Sequence, residues 1–439
     1  MKKYKLTILF ISLLLFSCEM DLNNPNAATE EETLNSKEGL FALSIGIKYK
    51  YSSDALKNLL PMSGLTTREI ALGFPNENTK EFQKGGENGI NGENAWLVGI
   101  WSELLSVKIM SEKLLKNVEK INMEADIKSG LIAYASFFKA IAIGKLITHF
   151  EYVPINFSEE GNSEFYNKEE CMIEILKLTS DGIKILEETP FSDEFKNAIL
   201  GKNFDLKNCL YAYLARYNLI YGNYQEAIDN ANKVNINSIS IFEYDASTAN
   251  PIFQTGIGAQ SFVKAVDNFG LPQNLHPENN DARIGFYMSP DTMLAVDSEL
   301  PIENLKGFFD EANKFIPVFL PGEIYLIKAE AYARMEDLNS AVKNINIVRK
   351  KTDDIYGVNA MLPKWNGNEN NKEEILDEIY KNRCIELFMQ AMRLEDSKRF
   401  GRLEPPLVPV FTSERNRNYY PYPKSEHLNN IKTPEDPSI

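Results

Sequence analysis

The chain has 439 residues, with 47 basic and 62 acidic side chains, a formal net charge of −15 and 44% hydrophobic residues. This composition is typical of a globular protein and excludes a disordered, collagen-like or polytopic membrane protein. The acidic balance argues against a nucleic-acid partner, because phosphate binding needs clustered Lys and Arg. With only three histidines and four cysteines, we expect no metal site and no cofactor.

The N-terminus has the three parts of a bacterial lipoprotein signal. Three lysines precede an apolar run, residues 6–16, which is shorter than the about 20 residues that a membrane-spanning helix needs. The run ends at Ser17-Cys18, which resembles a lipobox; the alternative is an ordinary signal peptide that ends near a cysteine. Similarity to bacterial lipoproteins implies that residues 1–17 are removed and that Cys18 is acylated.

The segment that follows Cys18 is polar and acidic and has no apolar period, so residues 18–35 are predicted to be a flexible tether. Loss of the three leader lysines lowers the formal charge from −15 to −18. Apart from Cys18, the cysteines are Cys171, Cys209 and Cys384. They are odd in number and lie in apolar helical patterns, which favours buried free thiols. One disulfide is the alternative.

Two long helices are predicted from apolar spacing. Residues 97–118 have apolar side chains three and four positions apart, which places Trp101 in the core. Residues 127–148 are apolar nearly all round but contain Lys139 and Lys145, each costing ~2.5–3.5 kcal/mol at a bilayer centre. We therefore predict a buried core helix whose lysines extend to its rim.

Two segments repeat each other, and two others are irregular. Residues 212–234 and 326–348 superpose with a shift of 114 and resemble tetratricopeptide helix pairs, which stack because neither buries its apolar face alone.

Residues 61–95 and 236–316 lose the helical period and are rich in turn residues. Long irregular segments commonly carry function, so we expect a helical frame with functional loops.

Five segments, in this order, resemble the SusD/RagB family of outer-membrane nutrient-binding lipoproteins. They are the W-x-x-L helix at 101–105, the A-x-x-x-R-A-like helix and its exit turn at 133–157, the A-E-A…N-x-x-R block at 316–350, the R-x-x-E-L…R-x-x-D-x-x-R segment at 379–401 and the Y-P-Y-P-x-x-E ending at 420–430. The resemblance implies an all-α, SusD-like helical scaffold with tetratricopeptide-like helix pairs and long loop-rich insertions.

The resemblance also implies a domain organisation. Residues 36–235 would form an N-terminal helical region with a ligand loop at 61–96. Residues 236–439 would form the C-terminal SusD/RagB region, with a loop-rich insertion at 236–316.

The family resemblance further implies a function. The protein would be lipid-anchored at the outer membrane, facing the cell exterior, and would capture an oligosaccharide for a SusC-like TonB-dependent barrel without acting on it chemically. The RagB branch takes peptides, so peptide capture is an alternative. Two others are a surface glycoside hydrolase, with a carboxylate pair in a cleft, and a scaffold that binds another protein. The sequence leaves bound calcium open.

Sugar recognition uses aromatic faces beside amide, carboxylate or Arg groups. Trp96, at the end of the Gly/Asn-rich loop, is the first candidate ligand contact, since family sites place aromatics ahead of this helix. Further candidates in the two irregular stretches are Arg68, Phe74, Phe82, Phe269, Asn274 and Tyr287. The alternative is that these side chains pack the loops onto the scaffold. Trp365, in a polar loop, is a candidate rim contact.

The charged side chains at 383–399 are predicted to be structural rather than catalytic. Their spacing gives two i,i+3 pairs, Arg383–Glu386 and Asp396–Arg399, with Arg393 between them. The histidines are not spaced for a shared site, and each is predicted to be a surface or packed residue: His149, His276 and His427.

Overall fold

The computed structural model describes residues 34–86, 89–158, 160–256 and 262–439. The predicted signal peptide, the acylated Cys18 and the tether up to residue 33 lie outside the described residues. They stay predictions, as do the domain boundaries.

The N-terminal half is built from long antiparallel helices. Their bounds are α1 (Lys37–Tyr49), α2 (Leu56–Thr66), α3 (Glu77–Lys84), α4 (Ala95–Val118), α5 (Ala125–His149), α6 (Lys168–Glu188), α7 (Leu206–Tyr221) and α8 (Tyr224–Ala231). A π-helical turn, Lys50–Ala55, joins α1 to α2, and a short turn pair, Asp193–Phe195 and Lys196–Leu200, precedes α7. Side-chain caps fix several starts; at α6, Asn167 and Glu170 form a reciprocal capping box.

The C-terminal half adds a second helical layer. Its helices are α9 (Pro251–Gly256), α10 (Ala282–Tyr287), α11 (Pro321–Arg334), α12 (Leu338–Lys350), α13 (Lys372–Glu386), α14 (Arg393–Arg399) and α15 (Lys424–Asn429). Short 3₁₀ turns lie at Asp267–Gly270 and Gln273–Leu275. The all-α prediction is confirmed.

Short strands form two small antiparallel sheets. The strands are β1 (Ile70–Leu72), β2 (Ile241–Phe242), β3 (Val263–Val266), β4 (Met288–Ser289), β5 (Ile302–Leu305) and β6 (Ile316–Pro317). One sheet has the order β1-β3-β5-β4, and the other pairs β2 with β6. In the first sheet, Ala71 lies opposite Lys264 and Ala265 lies opposite Glu303.

The centre of the N-terminal half is α5, which packs between α4 and α6. Within the described residues it is the helix that is long and apolar enough to cross a membrane, but 94% of its most apolar stretch is buried inside the protein. The predicted core helix is therefore confirmed. Trp101 of α4 is also in the core, as predicted, at 3% exposure, and its indole N–H donates to Glu426.

The prediction that the α5 lysines extend to the rim is wrong for Lys145. Its Nζ lies in the core and donates to the carbonyl oxygens of Gln390 and Ala391 at 3.0 and 3.2 Å. Burial lowers the pKa of Lys145 to about 7. Lys139 is also buried and lies 3.3 Å from Glu112. Both ammonium groups are therefore stabilised by partners inside the protein and not by water at the rim of the helix, as the sequence pattern suggested.

The repeat-like segments form two helix pairs, α7–α8 and α11–α12, which pack against each other. Gly222 ends α7 in the left-handed region at φ 98°, a conformation that favours glycine. The prediction that residues 61–95 are irregular is wrong in part, because residues 61–66 continue α2 around Pro61 and residues 77–84 form α3. The three predicted free cysteines are unpaired and buried.

A buried ionic network joins α10, α11, α13 and α14. Asp396 accepts from Arg383 Nε and Nη2 at 2.9 and 3.0 Å and from Arg399 Nη2 at 2.7 Å. Glu330 of α11 accepts two bonds from Arg399. The predicted structural role and the Asp396–Arg399 pair are confirmed.

The predicted Arg383–Glu386 pair is wrong. Glu386 instead binds Arg283 of α10, at 3.2 Å, and Lys351. Tertiary partners approach from other segments, so the local i,i+3 spacing does not decide the pairing.

Glu386 also approaches the backbone of Gly322 closely. A Cβ at Gly322 would lie 1.9 Å from Glu386 Oε1. We expect Gly322→Ala to lower the free energy of unfolding by about 1–3 kcal/mol, because the buried carboxylate has no room to move. Urea unfolding followed by far-UV circular dichroism measures this change.

Gly285→Ala is the matched control for this variant. Gly285 is an exposed glycine of α10, and a Cβ there meets no atom within 4 Å. We expect its unfolding free energy to stay within about 0.5 kcal/mol of the parent. Equal effects of the two substitutions would contradict the steric explanation.

The network also predicts an acid sensitivity. Burial by itself would raise the pKa of Asp396, but the positive charges of Arg383 and Arg399 outweigh it and lower that pKa. The resulting stability is therefore present above the unfolded pKa of about 3.9 and is lost as the pH falls below it. Asp396→Asn should cost about 3–5 kcal/mol at pH 7.

Urea midpoints at pH 7, 5, 4 and 3 measure this effect. The difference between parent and variant should shrink as the pH falls. A difference that is the same at every pH would rule out the carboxylate charge as its origin.

Candidate functional site

Trp96 lies in the first turn of α4, where the helix cap fixes its position. Asn94 is buried, and its side-chain oxygen accepts from the backbone N–H groups of Trp96 and Leu97 at 2.9 and 3.4 Å. Its amide nitrogen donates to Asn78 O and to Glu81 Oε2, which ties the cap to α3. The indole is therefore held on a rigid helix end while its side chain stays partly exposed.

The indole packs against Phe262, the residue that precedes β3. Its ring lies 5.7 Å from that of Phe262, at 61°, and Phe262 O accepts from Gly73 N at 2.9 Å. Because side chains alternate along a strand, Lys264 projects from the same face as Phe262. Across the next strand, Lys264 Nζ donates to the side-chain oxygen of Asn304. Asp291 lies 3.6 Å from the same ammonium group.

We call Trp96, Phe262, Lys264 and Asn304 the Trp96 ledge. It places an aromatic face beside an ammonium group and an amide, with the carboxylate of Asp291 at its edge. The ledge is seated on the main core, to which Phe262 itself belongs at 9% exposure, together with Ile70, Leu72, Val263, Ala265 and Leu305. Its geometry is therefore set by backbone pairing, and its chemistry suits a ligand with both C–H faces and hydroxyl groups.

Phe74 follows Gly73 at the end of β1, and its side chain is 51% exposed. The bond from Gly73 to Phe262 places this end of β1 beside the ledge. Gly73 leaves little space here, since a Cβ would lie 3.0 Å from Lys264 Cγ. Phe74 and Trp96 are thus the candidates of the first irregular stretch whose side chains stay at least partly exposed.

Arg68 and Phe82 do not reach that surface, and a ligand contact disagrees with their burial. Arg68 is 2% exposed, donates to the carbonyls of Gln83 and Val410, and lies over the ring of Phe411. Burial lowers its pKa to about 10. Phe82 is fully buried against Tyr420. Both residues pack the loops onto the scaffold, which was the alternative.

The candidates of the second irregular stretch are not part of the ledge. Phe269 and Tyr287 are fully buried and pack on Phe388, and the Tyr287 hydroxyl donates to Glu386 O. Their predicted ligand contact therefore disagrees with the structure. Asn274 is exposed in a 3₁₀ turn, with no contact to the ledge among the described residues. Trp365 is partly buried on the second hydrophobic cluster.

Sequence reasoning missed Phe262, Lys264 and Asn304. Residues 262–266 read Phe-Val-Lys-Ala-Val, which is short and lacks the strict alternation of a half-buried strand, and the sequence around them is rich in turn residues. Lys264 and Asn304 are 40 residues apart, so only the β3–β5 register brings them together.

A separate cleft lies on the second helix pair. It has a volume of about 660 Å³ and is lined by Tyr325, Lys343, Lys350, Asp353, Lys364 and Glu369, among others. Charged groups of both signs surround it, so it differs in character from the ledge. Within the described residues, no group of three or more His, Cys, Asp or Glu side chains could hold a metal ion.

Comparison with known proteins now adds a family match for the C-terminal part and a fold match for most of the chain. Residues 310–438 match the SusD family model. Over 94% of its length the chain superposes on 99% of a SusD superfamily protein from Bacteroides vulgatus, with a TM-score of 0.67 at 14% identity. The chain has the fold of SusD superfamily proteins. The predicted SusD/RagB resemblance is therefore confirmed.

Other solved structures share the SusD-like fold. A putative sugar binding protein from Bacteroides vulgatus matches 92% of the chain over 99% of its own length, with a TM-score of 0.68 and 17% identity. A SusD-like carbohydrate binding protein from Bacteroides fragilis matches 91% of the chain over 99% of its own length, with a TM-score of 0.66 and 14% identity. No curated protein matches the chain.

Burial separates two phenylalanines of the SusD-like chain that are close in sequence. We expect Phe82→Ala to lower the unfolding free energy by about 3–5 kcal/mol, because it opens a cavity in the core. Phe74→Ala should change it by less than about 0.5 kcal/mol, because that ring is half exposed. Thermal unfolding of the two variants measures the contrast, and similar losses of stability would refute this placement of the loop.

Proposed function

We propose that this SusD-like chain is a cell-surface lipoprotein that binds an oligosaccharide at the Trp96 ledge and delivers it to a SusC-like TonB-dependent barrel. The observation that carries the proposal is the ledge: a partly exposed indole on a rigid helix end beside an ammonium group and an amide. The fold supports it, since two structures that share the fold are described as sugar or carbohydrate binding proteins.

The chemistry of the ledge suits a sugar. The C–H face of a pyranose packs on an aromatic ring, while its hydroxyl groups exchange hydrogen bonds with amides, ammonium groups and carboxylates. Backbone pairing holds these groups in place, so little ordering cost is added on binding. An open ledge also buries only part of a ligand, so affinity is modest. Modest affinity permits release into a transporter.

The proposed location rests on the N-terminal signal. Acylation of Cys18 would hold the body at the outer membrane, facing the cell exterior, at about 0.8 kcal/mol per buried methylene group. Globomycin treatment and palmitate labelling of the parent and of Cys18→Ser test the anchor. Protease shaving of intact cells tests exposure, and co-purification with the barrel tests the partner.

The central test is binding of a polysaccharide panel by calorimetry, with Trp96→Ala alongside. We expect one polysaccharide to bind, and the variant to bind it at least about tenfold more weakly, a loss of ~1.4 kcal/mol or more. Thermal unfolding of the variant shows whether the fold is intact.

Tyr325→Ala is the control, since it removes a partly exposed aromatic ring that lines the cleft on the second helix pair. Its glycan affinity should equal that of the parent. Binding that survives Trp96→Ala but is lost in Tyr325→Ala would move the site to that cleft.

Peptide capture is the second candidate function, and the 660 Å³ cleft is the observation that favours it. Its lining includes lysines, carboxylates and the side-chain amides of Asn237, Asn339 and Asn346. Such groups suit the charged and amide groups of a peptide. Binding of a mixed-charge peptide, lost in Lys343→Gln with Lys350→Gln, together with no binding to any glycan, would replace the proposed ligand.

A glycoside hydrolase would need a carboxylate pair beside the ledge. Asp291 and Glu303 are neighbours there, and burial raises the pKa of Glu303, with Asp267 and Asp291 raising it further. However, both carboxylates accept bonds from backbone N–H groups: Glu303 from Asp291, and Asp291 from Thr292 and Met293. We therefore assign no catalytic step. Release of reducing ends that disappears in Glu303→Gln would overturn this assignment.

A further inference from the structure

A small pocket lies where the end of α1 meets β2. It has a volume of about 220 Å³, and its walls come from α1, the π-helical turn Lys50–Ala55, Leu200 and the segment that begins at β2. Its lining shares no residue with the Trp96 ledge or with the cleft on the second helix pair. The pocket is therefore a separate feature of the described surface.

One wall of this pocket is apolar and accessible. Ile45 and Tyr49 are four residues apart on α1, so their side chains lie on the same side of the helix. They are 51% and 50% exposed, and Ile241 adds a further apolar side chain from β2. The pocket thus offers an aromatic ring and aliphatic groups to the C–H surface of a ligand.

A second wall carries two serine hydroxyl groups. Ser52 and Ser53 line the pocket at 7% and 9% exposure. Within the described residues, the buried Oγ of Ser53 has no hydrogen-bond partner. By contrast, the buried hydroxyl of Ser44 on α1 donates to Leu40 O, four residues earlier, at 2.8 Å. Since buried polar groups are normally hydrogen-bonded, the Ser53 hydroxyl is suited to a polar group of a ligand.

The π-helical turn positions these serines. Backbone bonds in a π-helix span five residues instead of four, so the carbonyl four residues before Ser53 is not placed as it is in an α-helix. The turn is also held from outside, because the Tyr244 hydroxyl donates to Ser52 O at 2.7 Å and the ring of Tyr51 lies 5.5 Å from that of Phe242. The wall is therefore formed before any ligand binds. Single π-helical turns occur frequently at functional sites.

The charged groups around the pocket have a negative balance. Lys48 Nζ donates to Ile199 O at 2.9 Å, and burial lowers the pKa of Lys48. Glu243 and Asp245 are exposed lining residues. Hydrogen bonds from Ser247 and from the backbone after it lower the pKa of Asp245, so this carboxylate stays ionised at neutral pH. Two carboxylates against one engaged ammonium group disfavour an anionic ligand.

We propose that this pocket, which we call the Tyr49 pocket, binds a single neutral pyranose ring. The ring packs its C–H face on Tyr49 and Ile45, and its hydroxyl groups bond to Ser52 and Ser53. A volume of about 220 Å³ is below the about 300–1,000 Å³ of pockets for drug-sized ligands, which limits the occupant to one ring. A purely apolar ligand would leave Ser53 without a partner.

The Tyr49 pocket goes beyond the proposed function, because its ligand class is argued from its own groups and does not require the ledge to bind sugar. Where both sites bind, a glycan long enough to reach both gains affinity by raising the effective concentration of its second contact. That consequence alone rests on the proposed function.

The test follows isoleucine δ-methyl signals by nuclear magnetic resonance in residues 19–439. Ile45 and Ile241 report on the pocket. Ile302 reports on the ledge, since a Cβ at Gly73 would lie 3.8 Å from Ile302 Cδ1 and 3.0 Å from Lys264 Cγ. Substitution of each isoleucine by Val assigns its signal.

The probes are the methyl glycosides of glucose, galactose, mannose and xylose, with glucuronate and tetramethylammonium as charged controls. We expect at least one methyl glycoside to shift the Ile45 and Ile241 signals in a saturable way, with a dissociation constant in the millimolar range because a single ring buries little surface. Glucuronate and tetramethylammonium should shift neither signal.

Two substitutions test the proposed contacts. Tyr49→Ala should abolish the saturable shifts, and Ser53→Ala should raise the dissociation constant about threefold to tenfold, the effect of one lost hydrogen bond. Ser44→Ala is the matched control, because it removes a buried hydroxyl of α1 that is bonded to Leu40 O and lies outside the pocket lining. Its dissociation constant should equal that of the parent. Thermal unfolding shows that each variant is folded.

The absence of saturable shifts at Ile45 and Ile241 with every methyl glycoside would overturn the proposal, as would shifts that survive Tyr49→Ala. A response to tetramethylammonium alone would assign the pocket to a cation, and an equal response to glucuronate would refute the selection of neutral rings. Ile302 is followed in the same spectra and with the polysaccharide that calorimetry identifies. A response at Ile302 without one at the pocket refutes the Tyr49 pocket alone, and a silent Ile302 with every glycan refutes the ledge alone.

Discussion

The buried charges of residues 378–399 are the constraint on which the rest of the structure depends. Arg383, Asp396 and Arg399 form a closed set of bonds with Glu330, while Glu386 holds Arg283. A buried charge that loses its partner costs several kcal/mol, so each of these side chains requires the others in place. The network therefore couples the second helix pair to α10, α13 and α14, which are far apart in sequence.

The same region fixes the strands that carry the Trp96 ledge. Arg393 donates to Phe269 O, just beyond β3, and Met389 N donates to Glu69, just before β1. These two bonds anchor the ends of β1 and β3 to residues 389–393. The C-terminal segment, which carries much of the family resemblance, thus acts on the candidate site through the strands.

The fold was largely predictable, because it follows from local patterns. Apolar spacing located α4 and α5 to within about two residues, and the internal repeat located both helix pairs. The site was predictable only in part. Trp96 and Phe74 are accessible, but Arg68, Phe82, Phe269 and Tyr287 are buried, because composition marks a segment as loop-rich without saying which side chains turn inward.

By itself, the sequence determined the helical frame, the buried thiols, the buried α5 and the acidic segment before Leu34, because periodicity, charge and cysteine number are properties of the chain. Tertiary structure alone decided the partner of Glu386, the burial of Lys145 and the meeting of Trp96, Phe262, Lys264 and Asn304. These depend on strand register and on ion pairs between distant segments. Such contacts are selected by the free energy of the whole fold, so local spacing does not reveal them.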